Sequence, residues 1–378
     1  MKFIHMSDLH LGKHVNQFSM LEDQKYIFNE IVEIIKKEKP NALLLSGDIY
    51  DKPIPPVEAV NLLDDFLSKI ALEKIPVLII SGNHDSPDRL SFGSSLMKSS
   101  QIYISQVYDG NIQCVTLEDE NGSVNFYLLP YIKPSTVRQV FPEEKINSFN
   151  DAVKLALSKL SLNKDERNVL LAHQFVTGAQ TCESEELFVG GSENVDASLF
   201  DDFDYVALGH IHGPQKVGRE SIRYCGTPLK YSFSEVNHKK GLCLVELAKK
   251  GDFNCTLIPL NPLHEMRKLK GTFQEIMFGP ESKASNKDDY LHITLTDEMD
   301  VPEGYGRLSS VYKNLISMDY DNSRTRANQD MTLLDNIKTV KPLELFEEFF
   351  EKQNNKKMTE DQKNFMEKLI EEIWEAKL

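Results

Sequence analysis

Two histidines one residue apart, His210 and His212, follow Gly209 at the end of an apolar run in FDYVALGHIHGPQ, residues 203–215. Alternate residues of an extended segment face the same side, so both rings can address one object. A metal ion is the object that neutral imidazole most often binds. Taken alone, a His-x-His pair is ordinarily a loop accident, and its weight comes from what ends the other apolar runs. KFIHMS leads into Asp8 and His10, NALLLS into Gly47-Asp48, PVLIIS into Gly82-Asn83-His84-Asp85, and NVLLA into His173. Five strand-like runs therefore end in hard oxygen or imidazole donors. In open α/β sheets, ligands bind in the crevice beyond the carboxyl ends of the strands. Asp8, His10, Asp48, Asn83, His173, His210 and His212 are thus expected to share one crevice. A single Gly-Asp after a strand is usually a turn, and a single buried His is usually a core residue, but five such endings in one chain are not a series of coincidences. His5, His14, His238, His264 and His292 occupy no such position and are expected to be structural or solvent residues.

The donor count points to the chemistry. Seven side chains exceed one tetrahedral zinc but suit two ions, and a mixed carboxylate, amide and imidazole set without cysteine fits manganese, iron or zinc. Two ions roughly 3.5–4 Å apart can hold a hydroxide and clamp the oxygens of a phosphate under in-line attack. A carboxylate is the natural bridge between them. The reaction class implied is phosphoester hydrolysis.

The elements that must position these residues are legible as continuous apolar runs alternating with amphipathic helices, the pattern of sheets buried on both faces. Helical spacing covers Glu22 to Lys39, Val57 to Ile70, Asp88 to Met97 and Asp151 to Leu160. NIQCVTL and SVNFYLLP flank the turn signal EDENG and predict a hairpin. SIRYCG, GLCLVEL and FNCTLIPL leave no room for long helices and predict a meander over Ser221 to Leu260. The composition changes near Asn261-Pro262, which sets a first domain at 1–263. A small unit at 264–320 reads strand, helix, strand, helix, strand. Residues 321–340 are polar and read as a linker. A helical pair occupies 341–378, with Phe346, Phe349 and Phe350 on one face of its first helix. Met366, Leu369, Ile370 and Ile373 line one face of the second. Pro342 suits a first helical turn, and Thr359 with Gln362 forms a capping-box signature.

Composition bounds the setting. With 378 residues, 40% hydrophobic and 27% charged, the chain has enough apolar content for a large core. It holds no apolar run long enough for a membrane helix. Five scattered cysteines in no CxxC pair argue for a reducing compartment and a cytoplasmic chain. A net charge of −15 opposes simple nucleic-acid binding, unless bound cations or a partner supply the positive surface.

The blocks DLH, GDIYD, GNHD, AH and GHIH, in this order, resemble the five signature blocks of the calcineurin-like metallophosphoesterases. That resemblance implies an α/β fold, a double-sheet α-β-β-α sandwich, around a dinuclear centre. On it, Asp8, His10, Asp48 and His212 would hold one metal, and Asp48, Asn83, His173 and His210 the other, with Asp48 bridging. His84 matches the family's non-ligand histidine, placed to protonate the leaving oxygen or to stabilise charge on the phosphate. The arginines that grip phosphate in protein serine/threonine phosphatases are missing, since Ile49-Tyr50-Asp51-Lys52 and Ser81 stand in their places. Small cyclic-nucleotide phosphodiesterases share GNHD but lack the extra unit and the tail.

The chain is more closely similar to the bacterial SbcD-type nucleases, relatives of the Mre-type DNA-repair nucleases. The resemblance lies in MSDLHLGK, LLSGDIYDKPIPPVEAV, ISGNHDSPDRLSFG, LLAHQFVTGA, YVALGHIHGPQKV, RYCGTPLKYSFSE and PLELFEEFF. It departs from the archaeal and eukaryotic relatives in carrying Tyr50 and Asp51 where they place a histidine. This resemblance implies a manganese-dependent nuclease of DNA repair, recombination and replication, acting as a 3′–5′ exonuclease on double-stranded ends and an endonuclease on hairpins and single strands. It also implies an SbcC-type ATPase partner that regulates cleavage and a homodimer within a heterotetramer. The 264–320 unit would be a capping domain, and the 341–378 helices would bind the partner. Lys13, Lys52, Arg89, Arg267, Lys268 and Lys270 are the candidate DNA contacts. The alternative expectation is a stand-alone metallophosphodiesterase for small or cyclic nucleotides.

Overall fold

The computed structural model describes residues 1–185, 193–279, 286–323, 325, 342–354 and 356–376. The continuous apolar runs form the centres of two six-stranded sheets. In the first sheet the order from one edge is Phe253–Pro259, Gly241–Leu247, Lys2–Met6, Ala42–Ser46, Val77–Ile80 and Ile102–Ile104. The second runs Gln215–Val217, Arg219–Tyr224, Tyr205–Gly209, Arg167–His173, Gly122–Leu128 and Gln113–Asp119. The strands that end in candidate donors are parallel within each sheet. Their carboxyl ends therefore lie on one side, as the sequence pattern requires.

The sheets stack face to face. Phe3 of the first meets Phe126 and Tyr205 of the second edge-on, with ring centroids 5.7 Å and 5.5 Å apart. Period-two alternation sorts the second sheet's side chains: Val169 and Leu171 join the core between the sheets, while Leu170 and Ala172 face outward under the helices Pro134–Val140 and Phe149–Ser158. The helices Leu21–Glu38 and Val57–Leu72 cover the first sheet, and Phe28 stacks on Phe66 between them at 4.4 Å. Layers of helix, sheet, sheet and helix result.

Met266–Gly271, Tyr290–Leu295 and Leu315–Tyr320 form a separate three-stranded parallel sheet with its own core of Phe273, Ile276, Leu291, Ile293, Leu295, Leu308, Tyr312 and Leu315. It is fastened to the sandwich at buried Asp23, which accepts from the Tyr290 hydroxyl at 2.8 Å and contacts His264 Nδ1 at 3.1 Å. The tail helices are Pro342–Asn354 and Glu360–Ala376. Thr359 and Gln362 form the expected reciprocal cap, and Lys363 pairs with Glu347 across the two helices at 2.5 Å. Of the expected linker, only residues 321–323 and 325 fall among the described residues.

Two expectations change. The helix expected over Asp88 to Met97 is broken into Pro87–Leu90 and Ser94–Met97, because Gly93 between them takes a left-handed φ of 74°. The expected meander over Ser221 to Leu260 is divided: Arg219–Tyr224 pairs with Tyr205–Gly209 in the second sheet, whereas Gly241–Leu247 and Phe253–Pro259 form a hairpin on the first. Local spacing shows that these runs are strands but not which of two stacked sheets each one joins.

Candidate metal centre

The crevice lies where the carboxyl ends of both sheets meet, and its backbone is held in uncommon conformations. Asp8, His10, Asp48 and His210 all have positive φ, at 53°, 44°, 49° and 102°. Such angles cost of order 1–3 kcal/mol each and persist where the surroundings enforce them. Here they are enforced by Asp8 N donating to Gly47 O at 3.0 Å, His10 N to Asp48 O at 3.0 Å, and His210 N to Asp8 Oδ1 at 2.9 Å. Close approach also requires glycine, between the two sheets at Gly209, where a Cβ would lie 1.9 Å from the Ser46 carbonyl, and between two loops of the first sheet at Gly82, where it would lie 2.1 Å from Asp48 Oδ1.

The seven predicted residues are brought together. His10 Nε2 faces His212 Nε2 at 3.2 Å and Asp48 Oδ2 at 3.7 Å. His173 Nε2 is 3.0 Å from Asn83 Oδ1 and 3.3 Å from Asp48 Oδ2. His210 Nδ1 meets the same Asn83 oxygen at 3.0 Å. Asp8 with His10 and His212, and Asp8 with Asp48 and His173, bring donor atoms within 4.8 Å of one another. All seven are buried. His84 lines the same crevice: its backbone donates to Asp48 Oδ1 at 2.9 Å, its Nδ1 lies 3.0 Å from the Asp51 carbonyl, and its ring meets His10 edge-on at 4.8 Å.

Burial dominates the electrostatics. It lifts the Asp8 carboxyl to about 6, helped by the facing Asp48 and opposed by His173. Burial also pulls His210 down to about 3 and His10 well below its usual range, so both rings are neutral. Burial would raise Asp48, but His173 and His84 outweigh it and hold the carboxyl well below its ordinary value. Burial would likewise lower His173, yet Asp48 holds it up at about 9. Neutral His10 and His210 and an ionised Asp48 are the forms that bind a divalent cation, and His173 would give up its proton to join them. Four imidazoles and two carboxylates that converge in one buried space are well matched to such an ion, so the residues fit the group.

Supporting residues escaped the sequence reading. Asp85 accepts from Ile49 N, Tyr50 N and Gly82 N at 3.0, 2.9 and 2.9 Å, stapling GDIYD to GNHD. It is the fourth residue of a quoted block, and its burial was the missing clue. The ring nitrogens turned away from the crevice also have neighbours. His173 Nδ1 contacts the Ser46 carbonyl at 2.8 Å, His210 Nε2 lies 3.9 Å from Glu193, and His212 Nδ1 is 2.9 Å from Ser184 Oγ and 3.4 Å from Glu235. Glu235 ends the quoted block RYCGTPLKYSFSE, whereas Ser184 and Glu193 stand in no sequence pattern that marks them.

The candidate DNA contacts lie outside this donor cluster. Lys13 pairs with Asp51 at 2.7 Å, Arg267 with Asp289 at 2.6 Å, and Lys270 with Asp321 at 2.5 Å. Lys52, Arg89 and Lys268 are exposed. In the tail, Phe349 is exposed, while Phe346, Phe350, Met366, Leu369 and Ile370 are half-buried. The Ile373 side chain lies outside the described residues.

Comparison with known proteins bears on the whole chain. The family model of the calcineurin-like phosphoesterases matches residues 1–214, and that of the type 5 capsule protein repressor C-terminal domain matches residues 262–354. The SbcD component of nuclease SbcCD from Staphylococcus epidermidis is 34% identical over 352 residues, which cover 89% of this chain and 92% of that one. Among solved structures, a dimetal phosphatase from Danio rerio is similar over 69% of this chain and 98% of its own, with 12% identity and a TM-score of 0.42. No described helix is long and apolar enough to cross a membrane.

Proposed function

We propose, for a chain that belongs to the calcineurin-like phosphoesterase family and within it to the SbcD nucleases, a manganese-dependent DNA nuclease whose cleavage a partner ATPase regulates. The observation that carries this reading is the meeting of donors from five strand ends, drawn from two sheets, in one buried crevice. Asp8, His10, Asp48 and His212 would hold one cation, and Asp48, Asn83, His173 and His210 the other. Two divalent cations would supply an activated water and neutralise charge on a phosphodiester.

The protein's own residues do the rest. Asp48 lies against donors of both groups, which suits a bridging carboxylate. His84, with Nδ1 donating to the Asp51 carbonyl, would as an imidazolium give the proton on its other nitrogen to the leaving oxygen. Imidazole is the side chain most often used for such a transfer. Residues 1–263 form the nuclease domain, and the 264–320 unit caps the crevice and steers the substrate. Lys13, Lys52, Arg89, Arg267, Lys268 and Lys270 supply contacts to backbone phosphates, and the 341–378 helices dock an SbcC-type ATPase. The ATPase brings the basic surface that a chain of net charge −15 lacks. A homodimer within a heterotetramer, working in the cytoplasm on 3′ ends and hairpins, completes the reading.

The test is cleavage of an end-labelled DNA hairpin by the purified chain with manganese, magnesium or chelator, each with and without the co-purified ATPase. Cutting that needs manganese and rises with the ATPase and ATP is the expected result. Hydrolysis of bis-(p-nitrophenyl) phosphate or cyclic nucleotides with no DNA cutting in any arm would replace it with a stand-alone small-substrate phosphodiesterase.

A further inference from the structure

A buried ion pair stands behind His212. Glu235 is wholly buried and Lys240 nearly so, and the two are in direct contact. Lys240 Nζ also donates to Thr227 Oγ1 at 2.6 Å and to the His212 carbonyl at 2.8 Å. Burying two charges is expensive, and a buried pair can often be replaced by apolar residues without loss of stability. The position of this pair, against a crevice histidine, gives it another use.

The protons can be assigned by counting donors. Glu235, paired with an ammonium, is a carboxylate and only accepts. The Ser184 hydroxyl, 2.6 Å from Glu235 Oε1, therefore gives its single proton to Glu235. Having none left, Ser184 Oγ must accept from His212 Nδ1, 2.9 Å away. His212 is thereby fixed with its proton on Nδ1 and its free lone pair on Nε2, the nitrogen that faces His10 across the crevice. The same short loop also holds the backbone, because Glu185 Oε1 accepts from His212 N at 2.8 Å. Cys182, His212 and Glu235 also lie close enough to hold a cation, but this relay already occupies the facing atoms of His212 and Glu235.

We propose that Ser184 and Glu235, anchored by Lys240, are positioning residues that lock His212 in the tautomer and orientation needed to bind a divalent cation through Nε2. The proposal rests on the reading of His212 as a metal ligand and deepens it. Outer hydrogen bonds of this kind set ligand orientation and basicity, and their loss typically costs about 10- to 100-fold in metal affinity.

The experiment is calorimetric titration of the metal-free full chain with Mn²⁺ alone, paired with its melting temperature without metal. Ser184→Ala is expected to weaken manganese binding by roughly 10-fold or more, with an unchanged melting temperature. Ser184→Thr, which keeps the hydroxyl, is expected to bind like wild type. The double variant Glu235→Leu/Lys240→Met is expected to keep or raise the metal-free melting temperature while losing roughly 10- to 100-fold in affinity. Wild-type affinity in Ser184→Ala, or equal losses in Ser184→Ala and Ser184→Thr, would overturn the relay. If the double variant does not fold, the two Ser184 variants decide by themselves. His212→Ala separates the two levels: wild-type manganese binding in that variant would remove the parent reading, whereas weak binding there beside an unaffected Ser184→Ala would remove only the relay.

Discussion

The two sheets meet at one crevice but bring it different chemistry. The first delivers Asp8, Asp48 and Asn83 with a single candidate imidazole ligand, His10; the second delivers three imidazoles, His173, His210 and His212. They also immobilise their donors by different means. On the oxygen side the backbone is fixed: Asp8, His10 and Asp48 take positive φ, and Asp85 ties the Asp48 loop to the Asn83 loop. On the imidazole side only His210 takes a positive φ, and the other two rings are aimed by what stands behind them, the Ser46 carbonyl for His173 and Ser184 with Glu235 for His212. A carboxylate can only accept, so it is held by N–H groups such as His210 N on Asp8 and His84 N on Asp48, whereas an imidazole's second nitrogen can donate to what stands behind it.

This contrast can be broken at its strongest point. Asp48 contacts candidate donors from both sheets, so Asp48→Ala is expected to abolish manganese retention. It should also lower hairpin cleavage by more than about 10⁴-fold, as loss of several kcal/mol of charge stabilisation requires. Metal analysis of the dialysed protein and a cleavage assay check both. His84→Gln should separate the roles within the first sheet: metal content stays at the wild-type level while cleavage falls about 10²- to 10⁴-fold. Full turnover in that variant would end the proton-donor assignment.

The end of the strand Arg167–His173 away from the crevice sharpens the contrast, because it too holds a charge pair. Asp119 and Arg167 of the second sheet form a two-pronged pair at 2.5 and 3.1 Å, and Arg167 also donates to Leu247 O on the first sheet at 3.0 Å. Arg167 keeps the Asp119 carboxyl below the ordinary range despite opposing desolvation. A depressed carboxyl stabilises the fold fully above its unfolded pKa near 4 and loses that contribution as pH falls through its folded value. Asp119→Asn should cost about 1–2 kcal/mol at neutral pH in chemical denaturation, with the gap to wild type closing in acid and cleavage by the folded protein unchanged. The smallest effect is expected in the cap. Lys268→Ala should weaken duplex binding evenly across sequences and reduce the salt slope by about one, as a fluorescence titration at several salt concentrations would show.

The donors were legible in the sequence because each ends an apolar run, and strand ends in parallel sheets share a side. Their supports were not. Glu235 reaches His212 from 23 residues downstream, and Ser184 and Glu193 belong to no periodic stretch of the sequence. Pairing Arg219–Tyr224 with one sheet and Gly241–Leu247 with the other is decided by long-range packing, to which local spacing is blind. The tail's capping box was legible, since its two residues lie three apart and bond to each other.

The placement of Lys2–Met6 has a consequence for synthesis. This strand lies inside its sheet, between Ala42–Ser46 and the antiparallel Gly241–Leu247. Its first neighbour is translated almost at once, but its second emerges only after the whole of the other sheet. At about 5–20 residues per second, the strand that leads into Asp8 and His10 spends on the order of ten to fifty seconds as an open edge on the ribosome. Unpaired edges of this kind recruit other chains. The nascent protein is thus most exposed to misassembly over an interval that includes the making of the second sheet's half of the crevice.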